Sequence, residues 1–215
     1  MDKVKRAPSR SYGQFCGLAR ALDVIGDRWN LLIVRDLLCG PMRYNELKAS
    51  LAGIATNLLA ERLRVLAENG IVERQLAGTG VHYALTPRGA ELREPMEALG
   101  RWGAPLLATG RNGDAFQPRW LAQALPALLR DATADPALEF GFEIDGALIV
   151  VHIGKKHAQA DLEPSHRPDT VLTATPDTVV GLATGALTVD QALSAGHLEG
   201  DPQILHTAFP PRAIV

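Results

Sequence analysis

The chain has 215 residues, of which 47% are apolar and 21% charged, the proportions of an ordinary globular protein rather than a disordered or fibrous one. This length fits two domains better than one. No apolar run approaches the roughly 18 residues that a membrane helix needs, and no hydrophobic segment follows the basic N-terminus. We therefore expect a cytoplasmic protein without a secretory signal or a membrane partner.

Charge is divided unevenly between the two halves of the chain. Residues 1–110 hold 15 Lys and Arg against 11 Asp and Glu, a balance of +4, whereas residues 111–215 hold 7 against 13, a balance of −6. A polyanion would be attracted to the first half and repelled by the second. The second half is thus an unfavourable place for a DNA contact.

The first elements along the chain are predicted to be helices. Apolar residues recur at helical spacing across residues 17–38, and the pair Gly26-Asp27 predicts a break between two helices. Gly40-Pro41 combines a helix stop with a helix start, so a short helix is expected from Arg43 to about Ser50.

A longer helix and a hairpin are predicted next. The turn Leu51-Ala52-Gly53 precedes a helix from about Ala55 to Glu68, which the pair Asn69-Gly70 ends. Residues Ile71–Leu76 and Val81–Leu85 have the pattern of two strands joined by a glycine-containing turn. Helix, tight turn, helix and hairpin together are the plan of a winged helix-turn-helix domain.

The longer helix is predicted to have one buried and one exposed face. Leu59, Leu63 and Leu66 share the buried face at helical spacing. At 3.6 residues per turn, the opposite face presents Asn57, Ala60, Glu61, Arg64 and Glu68. An exposed amphipathic helix without a ligand has the same pattern, so spacing alone leaves both interpretations open.

Several residues of this first half suit contacts with DNA in the major groove. Asn57 suits adenine, Arg64 suits guanine, and Ala60 permits a close approach. Lys48 and Thr56 are placed at phosphates, and Arg62 at a phosphate or an intramolecular carboxylate. The predicted DNA-binding residues are Arg43, Lys48, Thr56, Asn57, Glu61, Arg62, Arg64 and His82.

A further helix and a domain boundary complete the first half. Thr86-Pro87 has the features of a helix start, with Thr86 as N-cap, and the helix is expected to continue towards Trp102. The stretch from Gly103 to Pro118, with its polar run at residues 110–114, is typical of a linker. We therefore predict a DNA-binding domain at 1–110, to which the family resemblance described next adds dimerisation, and a second domain at 111–215.

Four blocks of the first domain match one known family, namely Asp23–Trp29, Arg43–Leu47, Leu63–Arg74 and Tyr83–Gly89. Through these blocks the chain resembles the HxlR family of winged helix-turn-helix regulators from Cys16 to Gly103. The resemblance implies a homodimer, joined largely through its N-terminal and C-terminal helices, on a roughly palindromic operator of double-stranded DNA. A Ser-Pro pair is usual in that family where this chain has Ala55-Thr56, which leaves the base contacts open.

Cys16 and Cys39 are the only cysteines, and histidines are not clustered near them. Neither a zinc site nor a disulfide framework is predicted from this pattern. Some members of the resembled family carry a redox-sensing cysteine at the position of Cys16. A single cysteine is more often buried as a small hydrophobic residue, and we expect Cys16 to be buried.

The second half has the pattern of an α+β domain with an antiparallel sheet. Phe140, Phe142 and Ile144 alternate into Asp145-Gly146, and the apolar run Ala147–Ile153 follows, which is a strong hairpin pattern. The other expected elements are a helix at Trp120–Arg130, strands at Lys156–Leu162 and Thr170–Ala174, and helices starting at Thr175, Thr188 and Asp201.

This half resembles the sterol-carrier-protein type 2 fold from Phe140 to Phe209, through the blocks Phe140–Gly146, Leu172–Leu182 and Gly185–Asp201. The resemblance implies an apolar cavity for lipid-like or flat hydrophobic molecules. The predicted effector-binding residues are Trp120, Phe140, Phe142 and His152. Two alternatives stay open: the aromatic residues only fill a core, or this domain serves dimerisation.

Enzyme chemistry is not predicted. The sequence has no G-x-S-x-G, H-E-x-x-H or G-x-G-x-x-G motif and no phosphate-binding loop, so we expect no catalytic residue, no cofactor and no metal. The sequence therefore predicts a dimeric DNA-binding regulator, with repression by occlusion of a promoter, whose second domain senses a small hydrophobic effector. The alternative is a lipid-binding carrier or enzyme-like module fused to a DNA-binding domain.

Overall fold

The computed structural model describes residues 11–78, 80–162 and 164–210. The chain divides into two compact units, the first ending at Met96 and the second beginning at Glu97. The division therefore comes earlier than the boundary predicted at Gly110. Among the described residues, no helix combines the length and the apolar character needed to cross a membrane.

The first unit is built from short helices and a three-stranded sheet. The strand order is β1-β3-β2, and both pairings are antiparallel. The two helices separated at Gly26-Asp27, the turn at residues 51–53 and the hairpin are confirmed. The elements are α1 (Gly17–Ile25), α2 (Asn30–Leu38), β1 (Met42–Arg43), α3 (Tyr44–Ser50), α4 (Thr56–Glu68), β2 (Val72–Ala77), β3 (Gly80–Leu85) and α5 (Pro87–Ala90).

Leucine spacing decides how α4 packs in this unit. Leu59, Leu63 and Leu66 are buried together with Ile33 of α2 and Leu47 of α3 in one apolar core. Fully burying such a side chain stabilises the fold by roughly 1.5–3 kcal/mol, so these three leucines fix which face of α4 points inward. The opposite face of α4 is consequently left exposed.

The helix predicted to continue from Pro87 to Trp102 is interrupted, which corrects the sequence prediction. It consists of α5 and a separate helix α6 (Arg93–Gly103). Pro95 explains the break, because proline has no backbone N–H and its ring would clash with the carbonyl of Glu91 inside a continuous helix. With α6 starting at Arg93, Pro95 lies in the first helical turn, where it is tolerated.

The second unit consists of a five-stranded sheet with helices packed over one face. Its sheet order is β6-β5-β4-β7-β8. The hairpin at Asp145-Gly146 is confirmed, and both residues have the positive φ angles that a tight hairpin requires. The elements that follow α6 are a 3₁₀ helix (Ala104–Thr109), α7 (Pro118–Leu128), β4 (Leu138–Ile144), β5 (Ala147–Ile153), β6 (Ala158–Asp161), β7 (Val171–Thr173), α8 (Pro176–Thr184), α9 (Val189–Ala195), β8 (His197–Glu199) and α10 (Pro202–Ala208).

The sheet is mixed, so the predicted antiparallel sheet is wrong at one pairing. Strand β7 runs parallel to β4, with Phe142 opposite Leu172. Strand β6 lies at one edge of the sheet, and β7 lies on the other side of β4 and is parallel to β6. We call residues 164–170, which precede β7, the crossover loop. Its Pro168 closes over Gly141, since a Cβ on that glycine would lie 3.2 Å from the proline ring.

Candidate nucleic-acid interface

The turn between α3 and α4 is held by local bonds that fix how α4 is presented. The Tyr44 hydroxyl donates to the Thr56 carbonyl over 2.7 Å, and the backbone N–H of Ile54 donates to the Leu51 carbonyl over 3.1 Å. Leu51 and Ile54 are buried beneath the turn. The start of α4 is thereby fastened to α3, as a helix-turn-helix pair requires.

The outward face of α4 is the one expected from the spacing of its leucines. Asn57, Ala60, Glu61, Arg64 and Glu68 are all exposed, and so is Thr56 at the first helical position. These side chains offer an amide, a methyl group, a hydroxyl, one guanidinium and two carboxylates to a partner. Amide and guanidinium groups are the ones that read adenine and guanine edges.

Arg64 lies between two carboxylates on this face. Its Nε and Nη2 donate to Glu61 over 3.1 and 2.7 Å, and its Nη1 donates to Glu68 over 2.6 Å. These hydrogen bonds raise the pKa of the Arg64 guanidinium above its usual range. In return, the hydrogen bond from Arg64 is the largest influence that lowers the pKa of the Glu61 carboxyl.

Two other predicted contacts on this surface have partners within the chain. Arg62, for which a phosphate or an intramolecular carboxylate was expected, pairs with Asp27, and its side chain is 19% exposed. The structure therefore favours the carboxylate. The Lys48 ammonium donates to the Ile54 carbonyl and so fastens the turn before α4. Its predicted phosphate contact stays a prediction.

The remaining two predicted DNA-binding residues meet at the hairpin. Arg43 of β1 lies opposite His82 of β3, and its Nε donates to His82 Nε2 over 3.3 Å. The structure thus groups Arg43 with His82 beside the sheet, and Thr56, Asn57, Glu61 and Arg64 along α4.

Cys16 is exposed at the N-cap of α1, so the expectation that it is buried is wrong. The prediction depended on the usual burial of a single cysteine. The neighbouring apolar residues Leu18 and Leu22 are themselves 69% and 38% exposed. Helix α1 keeps a small inward face, with Ala19 buried.

The predicted effector-binding residues do not share one surface. Phe140 and Phe142 point to the helix-covered side of the sheet, are fully buried, and pack edge to face at 5.5 Å between ring centroids. His152 lies opposite Glu139 in the hairpin, and Glu139 alternates with Phe140 along β4, so His152 is on the other side of the sheet. Trp120 is half-buried on α7. The prediction that groups His152 with the phenylalanines is therefore wrong.

Sequence reasoning missed a charged cluster on the outer side of this sheet, which we call the outer cluster. One oxygen of Glu139 lies 3.0 Å from His152 and the other 2.8 Å from His166. The alternation of Glu139, Gly141 and Glu143 along β4 could have revealed this polar face. Among the described residues, no group of three or more His, Cys, Asp and Glu side chains is arranged to hold a metal ion.

Arg167 completes the outer cluster. It donates from Nη1 to Glu143 over 2.7 Å and from Nη2 to Glu199 over 3.0 Å. These bonds raise the pKa of the Arg167 guanidinium above its usual range. His166 and Arg167 thus fasten the crossover loop to β4 and β8.

Comparison with known proteins matches the first part of the chain to transcription regulators. A family model described as HxlR-like helix-turn-helix matches residues 24–110. The HTH-type transcriptional regulator YodB of Bacillus subtilis is 38% identical over 85 residues, which are 38% of this chain and 76% of that protein. The HTH-type transcriptional regulator sll1512 of Synechocystis is 30% identical over 110 residues, covering 50% of this chain and 82% of the relative.

One relative extends further along the chain. The HTH-type transcriptional regulator Mb3122 of Mycobacterium bovis is 30% identical over 154 residues, covering 70% of this chain and 85% of that protein. Because this match is longer than the first unit, it includes part of the second unit. All three relatives are named as regulators rather than enzymes.

Proposed function

The chain belongs to the HxlR-like helix-turn-helix family of DNA-binding regulators, and from that membership we propose that it binds a roughly palindromic operator as a homodimer and represses transcription. The observation that carries this proposal is the exposed face of α4, where Asn57, Ala60 and Arg64 follow a turn fastened to α3. A helix presented in this way fits the major groove. A dimer over a promoter would block polymerase by occlusion.

The direct test is selection of an operator from a random-sequence duplex library by the full-length protein. We expect two similar half-sites whose centres are about one duplex turn apart, near 34 Å. A reporter behind the selected operator would then show the sign of regulation. Failure to enrich any sequence would contradict the proposal.

Exposed apolar residues support the homodimer. Phe15 and Leu18, around the start of α1, and Trp102 and Leu106, in and after α6, are each at least 69% exposed. Exposed apolar clusters on a soluble protein often mark surfaces that bind another protein. A second copy of the chain is the partner we propose for both segments.

Sedimentation of the double variant Phe15→Ser/Leu18→Ser tests this dimer. We expect it to shift to monomer, because the apolar area that drives association is lost. Leu76→Ser, at an 89% exposed position on β2, is the matched control and should stay dimeric. Equal effects of both variants, or a monomeric wild-type protein, would contradict the proposed interface.

For the second unit we propose a sterol-carrier-like domain that binds a small apolar effector and thereby changes DNA affinity. Its support is the resemblance in sequence together with an apolar interior under the helices, where the half-buried ring of Phe209 packs on Phe140 and Phe142. A ligand that entered there would displace Phe209. It would alter DNA binding only if it bound the DNA-competent and free conformations unequally.

A fluorescent fatty acid is a suitable probe for this proposal. We expect the full-length protein to bind it, to gain melting temperature, and to change operator affinity at saturation. Phe209→Ala should alter the affinity for the probe, whereas Gln203→Ala, at an exposed position of the preceding helix α10, should not. No binding by the wild type would contradict the effector proposal, and chemical turnover of the probe would favour the lipid-carrier or enzyme-like alternative.

The exposure of Cys16 supports a further property of the same regulator, release from DNA by oxidation. An accessible thiol can react with peroxide, whereas a buried one is inert. We expect peroxide to weaken operator binding of the wild type but not of Cys16→Ser. Identical responses of the two proteins would exclude a role for this thiol.

A further inference from the structure

The guanidinium of Arg64 is held on both sides by residues of its own helix. Glu61, one turn before it, accepts from Nε and Nη2, and Glu68, one turn after it, accepts from Nη1. All three side chains are about half exposed, with 54%, 48% and 46% of their surface accessible for Arg64, Glu61 and Glu68. The arrangement therefore lies on the outward face of α4, where the proposed operator would lie.

Donor counting shows what this arrangement leaves for a ligand. A guanidinium has five N–H donors, one on Nε and two on each Nη. Glu61 and Glu68 engage one donor on each of the three nitrogens, so one N–H remains on Nη1 and one on Nη2. Two donors at fork spacing are what arginine uses to bind N7 and O6 of guanine.

The charges on this face argue against simple attraction to DNA. Among the groups facing outward on α4, two carboxylates accompany one guanidinium, so their sum is −1. A negative face is repelled by phosphates. Glu61 and Glu68 thus weaken general attraction to DNA while they fix the direction of the arginine.

We propose that Glu61 and Glu68 are specificity-determining positioning residues, which hold Arg64 towards one guanine in each half-site. The inference rests on the proposed function, since it requires α4 to enter the major groove. An arginine held in this way must break its bonds to Glu61 or Glu68 before it can turn to a phosphate when guanine is absent. Adenine offers only one acceptor beside a donor, so one N–H of Arg64 would then face an N–H of the base.

The proposal predicts a change in operator affinity opposite in direction to the change that charge alone would cause. Removing a negative charge should tighten binding to any DNA. We expect Glu68→Gln nevertheless to weaken binding to the selected operator, by about two- to fivefold, because an arginine held only by Glu61 has more freedom to lose on binding. The same variant should bind a scrambled duplex of equal length as tightly as the wild type or more tightly.

The experiment compares full-length wild type, Glu68→Gln and Glu91→Gln on the operator selected by the wild type, on the scrambled duplex, and on the operator with guanine replaced by 7-deazaguanine. Glu91 is an exposed acid at the end of α5, so Glu91→Gln matches the change in charge away from α4. Loss of guanine N7 should cost Glu68→Gln less affinity than it costs the wild type or Glu91→Gln. In an Arg64→Ala background, Glu68→Gln should no longer weaken operator binding.

The outcomes distinguish failure of the proposed function from failure of the positioning role alone. If the wild type selects no operator, the proposed function fails and the positioning role fails with it. If the wild type selects an operator but Glu68→Gln behaves like Glu91→Gln on all three duplexes, the positioning role alone is overturned. Loss of operator affinity that persists without Arg64 would also overturn it, because the effect would then not act through the arginine.

Discussion

Each of the two units contains an arginine bound by two glutamates. The two groups differ in whether their residues belong to one element or to several. Arg64 and its partners Glu61 and Glu68 belong to one helix. Arg167 lies on the crossover loop, and its partners lie on β4 and β8. The same charge chemistry therefore fixes the direction of one side chain on α4 and fastens a loop to two strands in the second unit.

The two groups therefore differ in how the backbone is affected when the ion pairs of the arginine break. The Arg64 arrangement can open without moving the backbone, because helix α4 holds all three residues whatever their side chains do. Release of Arg167 would free the crossover loop from β8 and remove one of its links to β4, where the pair of His166 with Glu139 would remain. An arginine held by its own helix is suited to recognition, and one that joins separate elements is suited to stability.

Replacing the two arginines by alanine should separate these roles most clearly in DNA binding. Arg64→Ala should weaken operator binding roughly ten- to a hundredfold and relax base preference at one position in each half-site, as expected for a lost bidentate contact. Arg167→Ala should leave operator affinity unchanged. Gel-shift titrations with the selected operator and its single-base variants measure both. Equal losses of operator affinity in the two variants would contradict a role in recognition that belongs to Arg64 alone.

In thermal unfolding we expect Arg167→Ala to have the larger effect of the two variants. This effect should be smaller than that of Arg64→Ala on operator binding. Arg167→Ala should lower the melting temperature of the second unit by at most a few degrees, because exposed ion pairs contribute little even when they join separate elements. Arg64→Ala should leave that transition in place. Hydrogen exchange of the crossover-loop amides is the sharper measurement, and we expect faster exchange only in Arg167→Ala. Unchanged exchange there would show that Pro168, packed on Gly141, and His166, paired with Glu139, hold the loop without the arginine.

The first unit could be predicted largely from its sequence because its elements depend on local pattern. The spacing of Leu59, Leu63 and Leu66 defined both faces of α4, and Gly70 ended the helix in the expected left-handed conformation. Pro95 is the local indication in the sequence that a helix beginning at Pro87 must break before Trp102. The partner of Arg62 lies 35 residues earlier in the chain, and spacing within α4 gives no information on it.

The second unit shows where local pattern is insufficient. Both partners of a hairpin are adjacent in sequence, so the pairing of β4 with β5 followed from Asp145-Gly146. The composition of strand β7 does not indicate whether it pairs with β6 or with β4. Only the path of the crossover loop decides between these two neighbours. For the same reason the outer cluster was not predicted, since Glu139 and His166 meet only through that path.

The smallest predicted effect concerns the ionisation of Glu61. Hydrogen bonds and charge from Arg64 favour the ionised carboxylate, so the pKa of Glu61 in the folded protein lies below its ordinary value of 4.5. A lowered folded pKa means that the stabilisation from this pair is present above pH 4.5 and is lost as the pH falls through the pKa of folded Glu61. A carboxyl-detected NMR titration of the full-length protein should therefore give Glu61 a midpoint below 4.5. Arg64→Ala should move that midpoint upward and Arg167→Ala should leave it in place, because only Arg64 contacts this carboxylate among the two. A midpoint that is the same in wild type and Arg64→Ala would mean that the two side chains are not held together in solution, and α4 would then present a mobile arginine rather than a fixed one.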